Sequence, residues 1–284
     1  MSTLCWGYNT NGLAFHSFDA ACALLRALGY EAVGLTLDYG LLNPRSRTWR
    51  EDAWQVRNTL ARYGLRCVVE TGARFLLDPW RKHQPTLLDR FRSRRQRRLR
   101  FLKHAVELAA FLRAEAVSFW SGAAEPGERR EVLWARLCEA CTELTHYAAE
   151  RRVRLAFEPE PGMFIQRMHE FRQLKQMISS RWFGLTLDIG HVHCLSDGDP
   201  AQVIREFADC LYNVHIEDMR RGVHEHLVPG EGEIDFAPVV DALQRVGYCY
   251  GVYVELSRDS HRAVDVAKAA LRALRGLSRT ARRG

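Results

Sequence analysis

Four side chains able to bind a cation or carry a proton each close a short apolar run: Glu158 in RLAFE, Asp188 in FGLTLD, His215 in YNVH and Glu255 in GVYVE. Three carboxylates and one imidazole drawn to a point would hold a divalent cation. Two glutamates beside that point could remove and return a carbon-bound proton. More ionisable groups stand nearby. His191 follows Asp188 in D-I-G-H, and Glu160 follows Glu158 in F-E-P-E-P-G. His224 and His226 alternate in V-H-E-H, so both project to one side if that stretch is extended. Each group also has a plainer reading. Asp188 could be a helix N-cap, Glu160 a neighbour of the site, and the two histidines exposed loop residues.

Residues this far apart in sequence meet only if strands deliver them. β-rich runs alternate with amphipathic stretches, which argues for a parallel sheet with crossover helices. Eight strand candidates can be counted: Leu4–Tyr8, Ala32–Leu37, Arg66–Glu70, Ala116–Trp120, Arg154–Glu158, Gly184–Asp188, Leu211–His215 and Gly251–Glu255. The expected fold class is therefore α/β, a single (β/α)₈ TIM barrel over residues 1–284 with a loose basic tail from about residue 276. In such barrels the catalytic groups sit at the carboxyl ends of the strands. The irregular segment from Glu70 to Asp89 is a candidate lid. Arg81, Lys82 and His83 within it could hold a phosphate or carboxylate, as could Arg220 and Arg221 beyond His215.

Composition narrows the class. The chain has 284 residues, 47% of them apolar, enough for a large core, and no apolar run of membrane-spanning length. It reads as a cytoplasmic protein without a membrane partner. Its formal charge is +7, but eight basic residues fall between Arg90 and Lys103 and five more from Arg272 onward. With those set aside the rest stands at −6, so both basic runs read as solvated helix faces or tail and nucleic acid is disfavoured. Of eight cysteines only Cys138 and Cys141 form a C-x-x-C pair, inside a helical pattern, which suits packing better than metal or redox work.

The motifs E-P after the fifth strand, L-D-I-G-H, N-V-H-I-E-D, G-E-G-E-I-D-F and Y-V-E-L together resemble the xylose isomerase-like barrels, which include sugar isomerases and epimerases and endonuclease IV. Resemblance to the ketose 3-epimerase branch implies that Glu158, Asp188, His215 and Glu255 bind one divalent ion, with His191 and Arg221 contacting substrate. A further substrate glutamate of that branch is replaced here by Phe164. Resemblance to endonuclease IV matches His226 to a metal histidine but finds His224 where aspartate is expected, and Asp38 and Glu70 where early-strand histidines are expected; His83 is an inexact substitute.

The expected activity is a divalent-metal-dependent sugar or sugar-phosphate isomerase or epimerase, with Glu158 and Glu255 moving protons through an enediolate. Substrate contacts fall to His191, Arg221, His226, His224, Glu160 and His83. Mn²⁺ or Mg²⁺ suits the donor set, with Zn²⁺ or Co²⁺ the alternatives. The partner is a sugar, sugar phosphate or related polyol; barrels of this kind often pair through outer helices as a homo-oligomer, a state the sequence itself does not give. The other readings are an endonuclease IV-like nuclease, a lyase or dehydratase on an inositol-like or keto acid substrate, and a non-catalytic metabolite-binding barrel.

Overall fold

Short apolar runs become strands, and the amphipathic stretches between them become helices, because each must bury one face. The computed structural model describes residues 4–124 and 126–280. Its strands are β1 (Cys5–Asn9), β2 (Ala32–Thr36), β3 (Arg66–Glu70), β4 (Val117–Phe119), β5 (Leu155–Phe157), β6 (Phe183–Asp188), β7 (Leu211–Ile216), β8 (Asp218–Arg220), β9 (Val223–Leu227) and β10 (Gly251–Val254). Eight of them run parallel and close a barrel in the order β1, β10, β7, β6, β5, β4, β3, β2. The antiparallel pair β8 and β9 forms a separate hairpin between β7 and the next helix.

All eight expected strands are present, displaced by a residue or so at their ends. The hairpin was not foreseen, because VHEHL has no apolar run to announce it. Helices α1 (Phe18–Leu28), α2 (Trp49–Tyr63), α3 (Arg92–Leu112), α4 (Arg130–Glu150), α5 (Met168–Met177), α6 (Ile189–Cys194), α7 (Pro200–Glu206), α8 (Phe236–Arg245) and α9 (Ala263–Thr280) lie between or after the barrel strands. Helix α9 continues to Thr280, beyond the point near residue 276 where a loose tail was expected, and residues 281–284 lie outside the described residues.

Two cores result. The larger packs helices on the outside of the barrel. The smaller fills its interior with Cys5, Ala32, Val68, Ala116, Ala156, Tyr212 and Tyr253. Gly7 and Gly251 leave room for the Tyr253 ring, and Gly184 for Tyr212, since a Cβ at any of the three would overlap a ring. Glu115 closes the amino end by accepting from the Tyr253 hydroxyl (3.0 Å) and the Gly251 amide (2.8 Å) and by pairing with Arg66.

Side chains alternate across a strand, so the face that plugs the interior fixes what emerges at the other end. Two residues beyond Val68, Ala156 and Tyr253 stand Glu70, Glu158 and Glu255. Four residues beyond Cys5, Ala32 and Ala116 stand Asn9, Thr36 and Trp120. All six line one cavity.

Two surface expectations are corrected. The 70–89 segment is not a free lid: Leu76, Leu77, Leu87 and Leu88 anchor it in the main core. The basic run on α3 is not wholly a solvated face either, because Arg98 is 1% exposed beneath Trp120. Cys141 is buried within α4 and Cys138 lies 3.6 Å from the Met177 sulfur, a packing arrangement.

Candidate metal centre and active site

At the carboxyl rim Glu158, Asp188, His215 and Glu255 each offer one donor atom, and those atoms lie within 4.8 Å of one another. His215 Nδ1 stands 3.1 Å from Glu158 Oε1 and 3.1 Å from Glu255 Oε2, and 4.0 Å from Asp188 Oδ2. The strands carrying Glu158 and Glu255 are separated in the barrel by β6 and β7, so these carboxylates reach the centre from different sides. Asp188 does two jobs. Its Oδ1 caps α6 by accepting from the His191 amide (2.9 Å), while Oδ2 is buried with no hydrogen-bond partner among the described residues.

That orphaned oxygen, the ring nitrogen and the two glutamates fit a divalent ion. Buried carboxylates crowded this closely are costly unless a cation neutralises them. In the metal-free protein His215 supplies the charge. Burial opposes its protonation, but the carboxylates of Glu70, Glu158 and Glu255 outweigh it and hold the imidazole well above its ordinary value. Burial pushes Glu158 up to about 8, against the pull of His215. Glu255 is also pushed up by burial, yet His215, His226 and a hydrogen bond from Asn11 leave it below its ordinary value.

Ligation needs a neutral ring and ionised carboxylates, so loading must release protons. Below about pH 8 the Glu158 proton has to leave first; affinity for the ion should therefore fall by at least about tenfold for each pH unit lowered in that range. Calorimetric titration with Mn²⁺ in buffers of different ionisation heat reads both the affinity and the released proton. An affinity independent of pH between about 6 and 8 would count against the centre.

Glu70 lies behind the ligands and was considered in the sequence only as a strand exit. It accepts from His215 Nε2 at 2.9 Å and from Asn213 Nδ2 at 3.1 Å, which turns Nδ1 toward the centre and raises its basicity. Its signal was present, because Glu70 closes the apolar run CVV just as the four ligands close theirs. Glu70→Gln should weaken metal binding about 10–100-fold while the barrel stays folded, measured by the same titration. Asn9 and Asn11 were missed altogether. Their amides donate to Glu255 at 3.3 and 2.8 Å and hold its carboxylate in place. Gly34 belongs to this arrangement, since a Cβ there would run into the Asn9 side chain.

The remaining candidates divide. His191, His224, His226, Glu160 and His83 all line a cavity of about 400 Å³ above the centre, together with Arg74, Lys82, Trp120 and Arg258. His191 Nε2 lies 3.2 Å from His224 Nε2 and 3.8 Å from Glu160, and these three form a second cluster with donor atoms within 4.8 Å. Burial lowers His191 to about 4 and drives His224 down as well, so both rings are neutral at physiological pH. His226 turns Nδ1 to the Glu255 carbonyl (3.2 Å). His83 turns Nδ1 to the Gly72 carbonyl (2.7 Å) and packs edge-on against Trp120. The alternation of His224 and His226 is realised because β9 is extended and paired with β8; the Asp218 carboxylate holds the loop beyond it by accepting from the Gly230 and Ile234 amides.

Arg221 is a correction. It occupies the tip of the β8–β9 hairpin beside Gly222 (φ +73°), where the turn carries it into solvent away from the cavity. Phe164 packs edge-on against Trp134 and under Arg130 as a core residue. Arg81 and Arg220 are ion-paired to Asp78 and Glu225 outside the cavity.

Fold and site together define a (β/α)₈ barrel with a carboxylate–imidazole centre of metal-binding character at its carboxyl rim. The pattern of the xylose isomerase-like TIM barrel matches residues 22–277, and the chain belongs to that family. Among curated proteins, an inosose dehydratase of Lactiplantibacillus plantarum is 30% identical over 145 residues, covering 44% of this chain and 48% of that protein. One from Lacticaseibacillus casei is 28% identical over 147 residues, covering 46% and 49%. The chain thus spans about half the length of the curated relatives it matches.

Solved structures agree over nearly the whole barrel. An L-ribulose 3-epimerase superposes with TM-score 0.80 at 19% identity, covering 99% of this chain and 96% of that one. The 3-keto-D-glucoside 4-epimerase YcjR of E. coli gives 0.79 at 16% identity over 96% and 100%. An IOLI protein with a bound zinc atom gives 0.77 at 16% over 96% and 98%. These are likenesses of fold. No helix among the described residues is long and apolar enough to cross a membrane.

Proposed function

We propose that this protein is a divalent-metal-dependent enzyme that moves a proton alpha to the carbonyl of a sugar or related polyol ketone. One observation carries the reading. Glu158 and Glu255 flank His215 Nδ1 at the same 3.1 Å and reach it from strands that β6 and β7 separate. Two carboxylates placed on different sides of one centre are equipped to act as base and acid. Glu158, ionised when it holds the ion, is the group to remove the proton. Glu255, held by Asn9 and Asn11, is the group to return one, after taking it up from solvent. A divalent ion held by Glu158, Asp188, His215 and Glu255 supplies polarisation of the carbonyl and compensation for the enediolate charge. Neutral His191 and His224 can donate to or accept from substrate hydroxyls without adding charge. The donor set of three carboxylates and one imidazole suits Mn²⁺ or Mg²⁺, and Zn²⁺ or Co²⁺ also fit. The zinc atom bound in the IOLI structure supports a metal in this chain.

The fate of the abstracted proton defines the reaction. Its return gives an isomer or epimer, as the names of the structural neighbours suggest. Loss of a neighbouring hydroxyl instead gives dehydration, the reading favoured by the inosose dehydratase relatives. The two share the proton-removal step. Incubating the Mn²⁺-loaded protein with ketoses and with cyclic polyol ketones, and following products by mass and NMR, separates them: an unchanged mass with a new isomer supports the first, loss of water the second. No conversion and no proton exchange on any of these ketones would overturn both.

A further inference from the structure

The cavity is electrically two-faced. Its floor carries Glu70, Glu158, Glu160 and Glu255, while the wall built by the segment after β3 and the exit of β4 carries Arg74, Lys82, His83 and Trp120. Most basic side chains on the rim loops are already partnered: Arg81 with Asp78, Arg94 with Asp89, Arg220 with Glu225 and Arg262 with Asp259. Arg74 and Lys82 are different. Both line the cavity, and neither side chain has an ion pair or hydrogen bond among the described residues. Arg74 also borders an adjoining recess of about 240 Å³ with Asn11, Thr36, Asp38 and Tyr39, and makes no ion pair with Asp38.

Behind the same wall lies a third cation. Arg98 is 1% exposed, donates to the Thr71 carbonyl at 2.8 Å and stacks on the Trp120 ring at 4.6 Å, with Nε and Nη1 unpartnered. Burial lowers it to about 9, which leaves it charged at neutral pH. A buried guanidinium without a counter-charge is costly, and its field in so dry a place is weakly screened. Three cations on one wall, none of them ion-paired among the described residues, form an anion subsite facing a cation subsite.

We propose that the substrate carries an anionic group, a carboxylate or a phosphate ester, that docks on Arg74 and Lys82 while its ketone end meets the acid floor. Arg98 acts from behind as a positioning residue, fixing Thr71 and Trp120 and adding positive potential. This rests on the proposed function only for the ketone end; the anion subsite is a property of the wall.

The test is calorimetric binding to the Mn²⁺-loaded protein of three probes: ribulose, ribulose bearing a terminal phosphate, and the keto sugar acid of the same chain length. At least one charged probe should bind about tenfold or more tighter than ribulose, and the arm that does so distinguishes phosphate from carboxylate. Arg74→Gln and Lys82→Gln should each remove about tenfold of that preference, read as the ratio of charged-probe to ribulose affinity in the same variant; Arg81→Gln, outside the cavity, should leave the ratio unchanged. Lys82 is exposed, so its variant folds whatever Arg74→Gln does. Equal binding of neutral and charged probes, or a preference untouched by Arg74→Gln and Lys82→Gln, overturns the proposal. Deuterium exchange in the same samples keeps the two readings apart. Exchange of ribulose with no charge preference removes the anion subsite and leaves the enzyme reading standing. Charge-dependent binding with no exchange of any probe does the reverse.

Discussion

Glu158→Gln and Glu255→Gln should each slow proton exchange at the substrate carbon by about 10²–10⁴-fold, the range a positioned acid or base contributes. The amide keeps the size of the carboxylate and an oxygen donor, so the barrel should stay folded and some metal affinity remain. What it loses is the ability to hold the proton in transit. Glu158 is buried at the rim, and Glu158→Gln removes the group that takes the proton. Glu255→Gln additionally disturbs its contacts with Asn9 and Asn11. Each variant is to be compared with wild type at saturating Mn²⁺, by wash-in of solvent deuterium and by circular dichroism. Undiminished exchange in both variants, with metal bound, would show that these carboxylates hold the ion and do no chemistry.

His215→Ala should have the largest effect on binding and on the metal-free fold together. Its ring lies within 3.1 Å of Glu70, Glu158 and Glu255, and no other cation among the described residues touches all three. Removing it leaves buried carboxylates side by side, a loss of about 3–5 kcal/mol by analogy with breaking a buried ion pair. It also takes away the one nitrogen ligand. The expected result is no measurable Mn²⁺ binding at micromolar protein, and a denaturation midpoint in chelator well below wild type. An unchanged midpoint in chelator would mean that the carboxylates share protons without needing the imidazole.

Part of this was legible in the sequence, for a definite reason. A polar residue at the end of an apolar strand has one place to go in a closed barrel, so strand grammar in RLAFE, FGLTLD, YNVH and GVYVE brings Glu158, Asp188, His215 and Glu255 to one rim. Glu70 obeyed the same grammar in RCVVE. Asn9 and Asn11 carried no such mark, because asparagine after a strand reads as turn chemistry. The β8–β9 hairpin was hidden because its two strands are short and neither carries an apolar run. Direction was the other hidden quantity. Arg74, Lys82, Arg81 and Arg221 look alike as loop cations, and only the hairpin tip and the Asp78 pairing send Arg221 and Arg81 away from the cavity. Arg98, in the middle of a basic run, gave no sign that it faces inward.

The central claim is that the four strand-end residues hold an ion under which a carbon acid is deprotonated. The most direct test is solvent-deuterium incorporation at the carbon alpha to the carbonyl, followed by NMR on the Mn²⁺-loaded protein and on the same protein after chelation. The account predicts incorporation with the ion, its loss on chelation and its recovery when Mn²⁺ is restored. Incorporation that persists unchanged after chelation would contradict it.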